Sequence, residues 1–170
     1  GFDVYEAIDA CSEHLIQFGG HTFAAGLTLE TNQIENFRRK FEEVVSATIL
    51  PEQLSPMIEV DLELSLKDAT EKFHRIMVQM APFGPQNMTP VFLTKNIKDT
   101  GYGKPMGQEE EHLKLFVKQN NSEGIPAIGF GLGNKFDLTT HQKPFQAVYC
   151  IDENEWKGQL SLQLRLKDIQ

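Results

Sequence analysis

Pro51-Glu52-Gln53-Leu54-Ser55-Pro56 is the stretch that decides how this chain divides. The prolines interrupt a helical pattern and the sequence changes character across them, so a domain boundary falls here, with 1–50 before the linker and 57–170 after it. Upstream, the order reads helix, junction, strand, helix. Asp3 is placed to cap a helix over Val4–Phe18, whose apolar positions Val4, Ile8, Cys11, Leu15 and Phe18 recur at spacings of three and four. Gly19 stops it. Ala25–Leu29 reads as a short strand, and Asn32 as the cap of a second helix. That helix turns Ile34, Phe37, Phe41, Val44, Val45 and Thr48 inward and Arg38, Arg39 and Lys40 outward.

Downstream, Met57–Leu64 alternates Ile58, Val60, Leu62 and Leu64 with Glu59, Asp61 and Glu63, the pattern of a half-buried strand. Thr70–Met80 predicts a helix with Phe73, Ile76, Met77 and Met80 on one face, ended by Ala81-Pro82-Phe83-Gly84-Pro85. Further strands are expected at Val91–Ile97, His112–Lys118, Ile125–Phe130, Phe145–Ile151 and Gln159–Leu166, with a short helix over Lys135–Thr140. The fold class is α+β. A small α/β piece precedes a partly open barrel of the oligonucleotide-binding (OB) type with one or two helices.

With 170 residues, 40% of them hydrophobic, the chain can form one sizeable domain or two small ones. No apolar run is long enough to span a bilayer and the first residues lack a secretory pattern, so a soluble, cytoplasmic protein is expected. Cys11 and Cys150 have no C-x-x-C neighbour and read as small buried hydrophobes in a reducing compartment. His14, His74, His112 and His141 fall into no ligand spacing, and no metal site is expected in this chain. Glu109-Glu110-Glu111 reads as a solvated loop ahead of a strand. The net charge is −8, with three basic against eight acidic residues in 1–50 and thirteen against sixteen in 51–170. That balance excludes a protein that coats DNA through overall positive charge; nucleic-acid binding here has to rest on a local groove.

Gly19-Gly20-His21-Thr22-Phe23-Ala24-Ala25-Gly26 combines two glycines with a histidine at the expected helix-to-strand junction. Glycines bring backbone N–H groups close to an anion, and a neighbouring histidine donates to a phosphate oxygen. The same residues also read as a plain helix stop followed by a satisfied polar side chain. In the barrel, Phe92, Lys114, Phe116, Phe130, Lys135 and Trp156 are of the types that stack bases and track phosphates; the phenylalanines sit in strand patterns and read first as core, and Trp156, at a turn, also reads as a cover of the barrel end. The basic triplet Arg38-Arg39-Lys40 reads first as a solvated face.

Gly1-Phe2-Asp3 and Gln17-Phe18-Gly19-Gly20-His21-Thr22-Phe23-Ala24-Ala25-Gly26-Leu27-Thr28-Leu29 resemble the end of the DHHA1 domain of the RecJ family of single-strand-specific 5′-to-3′ exonucleases. Ala81-Pro82-Phe83-Gly84-Pro85-Gln86-Asn87, Pro90-Val91-Phe92, His112-Leu113-Lys114-Leu115, Asn154-Glu155-Trp156-Lys157-Gly158 and Lys167-Asp168-Ile169 resemble successive landmarks of the RecJ OB domain. The resemblance implies a C-terminal fragment that lacks the family's Asp-His-His metal signature and is inactive alone. The intact enzyme would use Mg²⁺ or Mn²⁺, held in a preceding domain, for phosphodiester hydrolysis in DNA repair and recombination. It further implies His21 as a catalytic group on a substrate phosphate beside Gly19 and Gly20. By residue type and place on the barrel, Lys114, Lys135 and Trp156 are the residues expected to face single-stranded DNA. Asn87-Met88-Thr89-Pro90 departs from the family pattern, which has a proline and an acidic residue between the outer two positions. Two other readings stand beside this one: a module docking a single-strand-binding protein or similar repair partner, and a small-nucleotide phosphoesterase.

Overall fold

The computed structural model describes every residue except Asn121, and of Trp156 the backbone alone. It divides into two compact units, Gly1–Met57 and Ile58–Gln170.

In the first unit, helix α1 (Val4–Asp9) is capped by Asp3, whose carboxylate accepts the Glu6 N–H at 3.1 Å. The other carboxylate oxygen accepts the Thr22 hydroxyl at 2.9 Å. These two bonds, the Glu6 N–H foremost, hold the Asp3 carboxyl below its ordinary range. The helix buries Ala7 and Ile8, with Cys11 buried just beyond it. It does not continue to Phe18. A 3-10 turn over Ser12–His14 follows, and Gln17–His21 is strand β1, paired antiparallel with β2 (Ala24–Thr28). The leucine and phenylalanine at helical spacing are outweighed by Gly19 and Gly20, each of which disfavours a helix by about 1 kcal/mol relative to alanine. An unbroken register from Gln17↔Thr28 to His21↔Ala24 satisfies the same backbone groups across a hairpin. Helix α2 (Ile34–Thr48) follows a 3-10 turn over Thr31–Gln33, so Asn32 lies within that turn and is not the helix cap. Phe37 and Phe41 stack on one face of α2 at 5.6 Å.

The second unit contains β3 (Leu62–Glu63), α3 (Glu71–Val78), β4 (Phe92–Asp99), β5 (Lys104–Met106), β6 (His112–Lys118), β7 (Ile125–Gly129), β8 (Phe145–Trp156) and β9 (Gln159–Ile169). Strands β4, β8, β9, β7 and β6 pair in that order, and Lys98↔Lys118 with Asp99↔Val117 joins β6 back to β4. The result is a five-stranded ring. Its β7–β9 pair is parallel and its other pairs antiparallel, the connectivity of an OB barrel. Alternation fills it: Leu113, Leu115 and Val117 of β6 point inward with Ile97, Ala127, Ala147, Tyr149, Leu164 and Ile169, all nearly inaccessible. Tyr149 keeps its polar end bonded at this depth. Its hydroxyl lies 2.7 Å from that of Thr94, which donates to the Leu64 carbonyl, and burial pushes the phenol up from its ordinary value.

Several elements differ from the sequence expectation. Of Met57–Leu64 only Leu62–Glu63 is strand, parallel to the start of β4, while Ile58 and Val60 stay exposed. The alternation there has no apolar layer to face. On α3 the buried residues are His74 and Met77, with Phe73 packed on the core; Ile76 and Met80 are more than half exposed. The segment after β7 is a 3-10 stretch, Gly133–Gln142, broken at Thr140 and His141. Strand β5 had no sequence signal. The β8–β9 hairpin runs to Trp156 and Gln159 around Lys157-Gly158, both at positive φ as a two-residue turn of this kind requires.

Candidate nucleic-acid interface

The hairpin β1–β2 places His21 and Ala24 as its last pair, so Thr22 and Phe23 form the turn. The His21 side chain is exposed, and its Nδ1 accepts the Phe23 N–H at 3.2 Å. In the neutral ring the proton therefore sits on Nε2, which makes it a donor on an exposed side chain. Gly20, at φ 153°, is where the hairpin requires glycine: a Cβ there would stand 2.3 Å from the Ala24 carbonyl oxygen. Gly19 has open space where a Cβ would be and no unusual φ, so its backbone freedom is not what the hairpin uses. The two glycines and His21 are thus neighbours in an extended strand and not a helix-to-strand junction.

On the barrel, the outward side chains of β6 are Lys114, Phe116 and Lys118, a cation, an aromatic ring and a cation. The ladder sets Lys104 of β5 directly across from Lys114, and Lys98 of β4 directly across from Lys118. All four lysines are exposed, and among the described residues none of their ammonium groups has a carboxylate partner. Like charges directly opposite on a sheet are destabilising. Phe116 is 37% exposed and its ring covers Gly124; Phe130, past the end of β7, is 60% exposed and meets the edge of His112 at 5.2 Å. His112 Nδ1 accepts the Gly131 N–H, which fixes that ring.

Other candidates are committed elsewhere. Phe92 is core, in contact with Phe73 and Tyr149. Lys135 donates to the Asp168 carboxylate and to the Ile169 carbonyl, so its charge is already neutralised. The Trp156 side chain lies outside what the structure describes. Arg38 pairs with Glu35 at 3.1 Å and Arg39 donates to Asn36, the bonds of a solvated helix face. Lys98, Lys104 and Lys118 were missed by the sequence reading. Lys118 shares the period-two alternation of Lys114 and was visible there; the other two join the face only through strand register.

Burial pushes the Asp168 carboxyl up, but the Lys135 ammonium and the Ile169 N–H outweigh it and hold the group below its ordinary range. A carboxyl depressed in the folded state stabilises the fold above its unfolded pKa of about 3.9, and that stability is lost as pH falls through the folded value. Acid titration of stability should therefore lose about 1 kcal/mol from this pair below about pH 4, and Asp168→Asn should remove that component. Superimposable acid limbs for the variant and the parent would show that the pair contributes nothing.

A profile of the RecJ OB domain matches residues 60–168. The chain belongs to the RecJ family. The single-stranded-DNA-specific exonuclease RecJ of Bacillus subtilis is 31% identical to it over 173 residues, which span 99% of this chain and 21% of that protein. RecJ of Salmonella typhimurium is 28% identical over 172 residues, 98% of this chain and 29% of its own. The crystal structure of Thermus thermophilus RecJ with Mn²⁺ superposes with a TM-score of 0.72 over 99% of this chain and 24% of that one. At 19% identity that likeness shows the fold, a RecJ-type α+β chain with an OB barrel. The chain thus spans less than a third of the length of these relatives. Another structure of the Thermus protein holds Mg²⁺. Among the described residues here, no three His, Cys, Asp or Glu side chains converge on a metal position, and no helix is long and apolar enough to cross a membrane.

Proposed function

We propose that this chain is the substrate-holding part of a RecJ-type 5′-to-3′ exonuclease acting on single-stranded DNA in repair and recombination. In this reading residues 1–50 are the end of a DHHA1 domain and 57–170 a single-strand-binding domain. The observation that carries it is the pair of lysine oppositions, Lys104↔Lys114 and Lys98↔Lys118, on the outer face of β4–β6 with Phe116 between them. A chain of net charge −8 that sets four cations, without a carboxylate partner among the described residues, across from one another is arranged for an anion that bridges them. A single strand does so, since its phosphates track the lysines while bases stack on the exposed rings.

On the hairpin, the His21 Nε2–H donates to a phosphate oxygen next to the cleaved bond, and the neighbouring glycines admit the strand close to the backbone. A divalent ion, Mg²⁺ or Mn²⁺, would supply the activated water when bound; among the described residues no three His, Cys, Asp or Glu side chains come together to hold one. In this reading the labour is divided between a metal centre in a preceding domain and the donors and holding surfaces here.

Salt dependence tests the reading. In the full-length protein, each of Lys114→Ala and Lys118→Ala should weaken binding to a short single-stranded oligonucleotide and reduce the slope of log affinity against log salt by about 0.7. Unchanged slopes in both variants would remove the barrel face from the DNA path. Retained capture of a single-strand-binding protein without oligonucleotide binding would favour the docking alternative.

A further inference from the structure

We propose that the Phe23 ring is a stacking platform for the nucleobase adjoining the phosphate held by His21, a role that rests on the reading of His21 given above. Phe23 is 77% exposed at the tip of a two-residue turn, so most of its ring is not buried within its own unit. Its position is nonetheless fixed. The Val4 N–H donates to the Thr22 carbonyl at 3.0 Å and the Thr22 hydroxyl to Asp3, which anchors the turn to the start of α1. The Phe23 N–H donates to His21 Nδ1, so one peptide unit sets both the tautomer of the histidine and the origin of the phenylalanine side chain.

The two rings lie 6.2 Å apart and nearly perpendicular, at 72°. An N–H donor on an exposed ring therefore sits beside an aromatic surface. Apart from Thr22, the hairpin residues around them, Gly19, Gly20, Ala24, Ala25 and Gly26, are small, and Gly1 borders one edge of the ring, where a Cβ would stand 3.5 Å from Phe23 Cε1. Phosphate donor, adjacent aromatic ring and a largely exposed ring face match one nucleotide of a single strand. Stacking of this kind is tolerant of sequence because every base presents a π face, but it requires the base to be unpaired. Phe23 would thus favour single-stranded over duplex ends at the hairpin itself.

The test uses the full-length protein and a set of oligonucleotides, each with one abasic nucleotide at a different position from the digested end. With the unsubstituted protein, one position should weaken apparent affinity on the order of tenfold. Phe23→Ala should lose a similar factor on intact oligonucleotides and become indifferent to that abasic position, while Phe23→Trp keeps both the affinity and the abasic penalty. If Phe23→Ala has no effect, or the same loss on intact and every abasic substrate, the stacking role is overturned. His21→Ala should lower turnover about a hundredfold and leave the abasic penalty in place. Full turnover in His21→Ala with the Phe23 coupling intact would fail the phosphate reading alone.

Discussion

Replacing Asp99 by alanine is expected to destabilise the barrel unit by about 4 kcal/mol, among the largest effects of any single substitution in it. Asp99 is 5% exposed, and both its oxygens are used. One accepts the Gly101 and Gly103 N–H groups at 2.7 and 2.9 Å; the other accepts the Phe116 N–H at 3.0 Å. Alanine would leave three part-buried backbone donors without this partner, and a donor that water does not reach costs about 1–3 kcal/mol. The same carboxylate shapes the chain between β4 and β5, so it fixes where Lys104 meets Lys114. Gly103 approaches so closely that a Cβ would fall 2.7 Å from Leu115 Cδ2 and 3.0 Å from the Asp99 carboxyl. Asp99→Asn retains one acceptor oxygen and should lose about half as much. Denaturant midpoints with unchanged slopes are the measurement. A loss below about 1 kcal/mol for Asp99→Ala would mean that the loop is held by its packing and not by the carboxylate.

This dependence explains which parts of the molecule could be read from the sequence. Strand β6 was legible because Leu113, Leu115 and Val117 face a core while Lys114, Phe116 and Lys118 face water. Period two is a local signal, and the barrel class followed from several such segments. Strand β5 was not legible: Lys104-Pro105-Met106 has no pattern of its own and exists through pairing with β6. The outer part of β8, 152–156, lay beyond the expected strand because residues 152–155 are exposed on both faces and alternation carries no information there. Among site residues, Lys114 was visible from type and place. That Lys135 is neutralised was not, because Asp168 lies 33 positions away and only the closed barrel brings the two together. Lys98 and Lys104 belong to the candidate face by register, a property of two strands that neither strand states alone.

Gly20→Ala is expected to destroy the hairpin geometry that presents His21, with a local penalty of about 4 kcal/mol, while Gly19→Ala leaves the hairpin intact. Adjacent glycines in one motif look interchangeable in sequence, and the structure separates them. A Cβ on Gly20 would lie 2.3 Å from the Ala24 carbonyl oxygen and 2.5 Å from the Ala25 Cα. Both are backbone atoms of the paired strand, so no side-chain rotation relieves the contact, and φ near 153° is itself unfavourable for an L-residue. The clash falls at the Gly20↔Ala25 pair, next to the His21↔Ala24 pair that closes the turn. Relief must open the turn, break the Phe23 N–H to His21 Nδ1 bond and release the tautomer of the ring. At Gly19 a Cβ meets nothing within 4 Å. In the full-length protein, Gly20→Ala should therefore lower turnover at least as far as His21→Ala, about a hundredfold, and speed amide exchange across 17–28. Gly19→Ala should protect those amides as the unsubstituted protein does, and any loss of turnover it shows would then report crowding of the strand and not unfolding of the hairpin. Equal exchange in both variants would show that the close approach at Gly20 does not hold the hairpin.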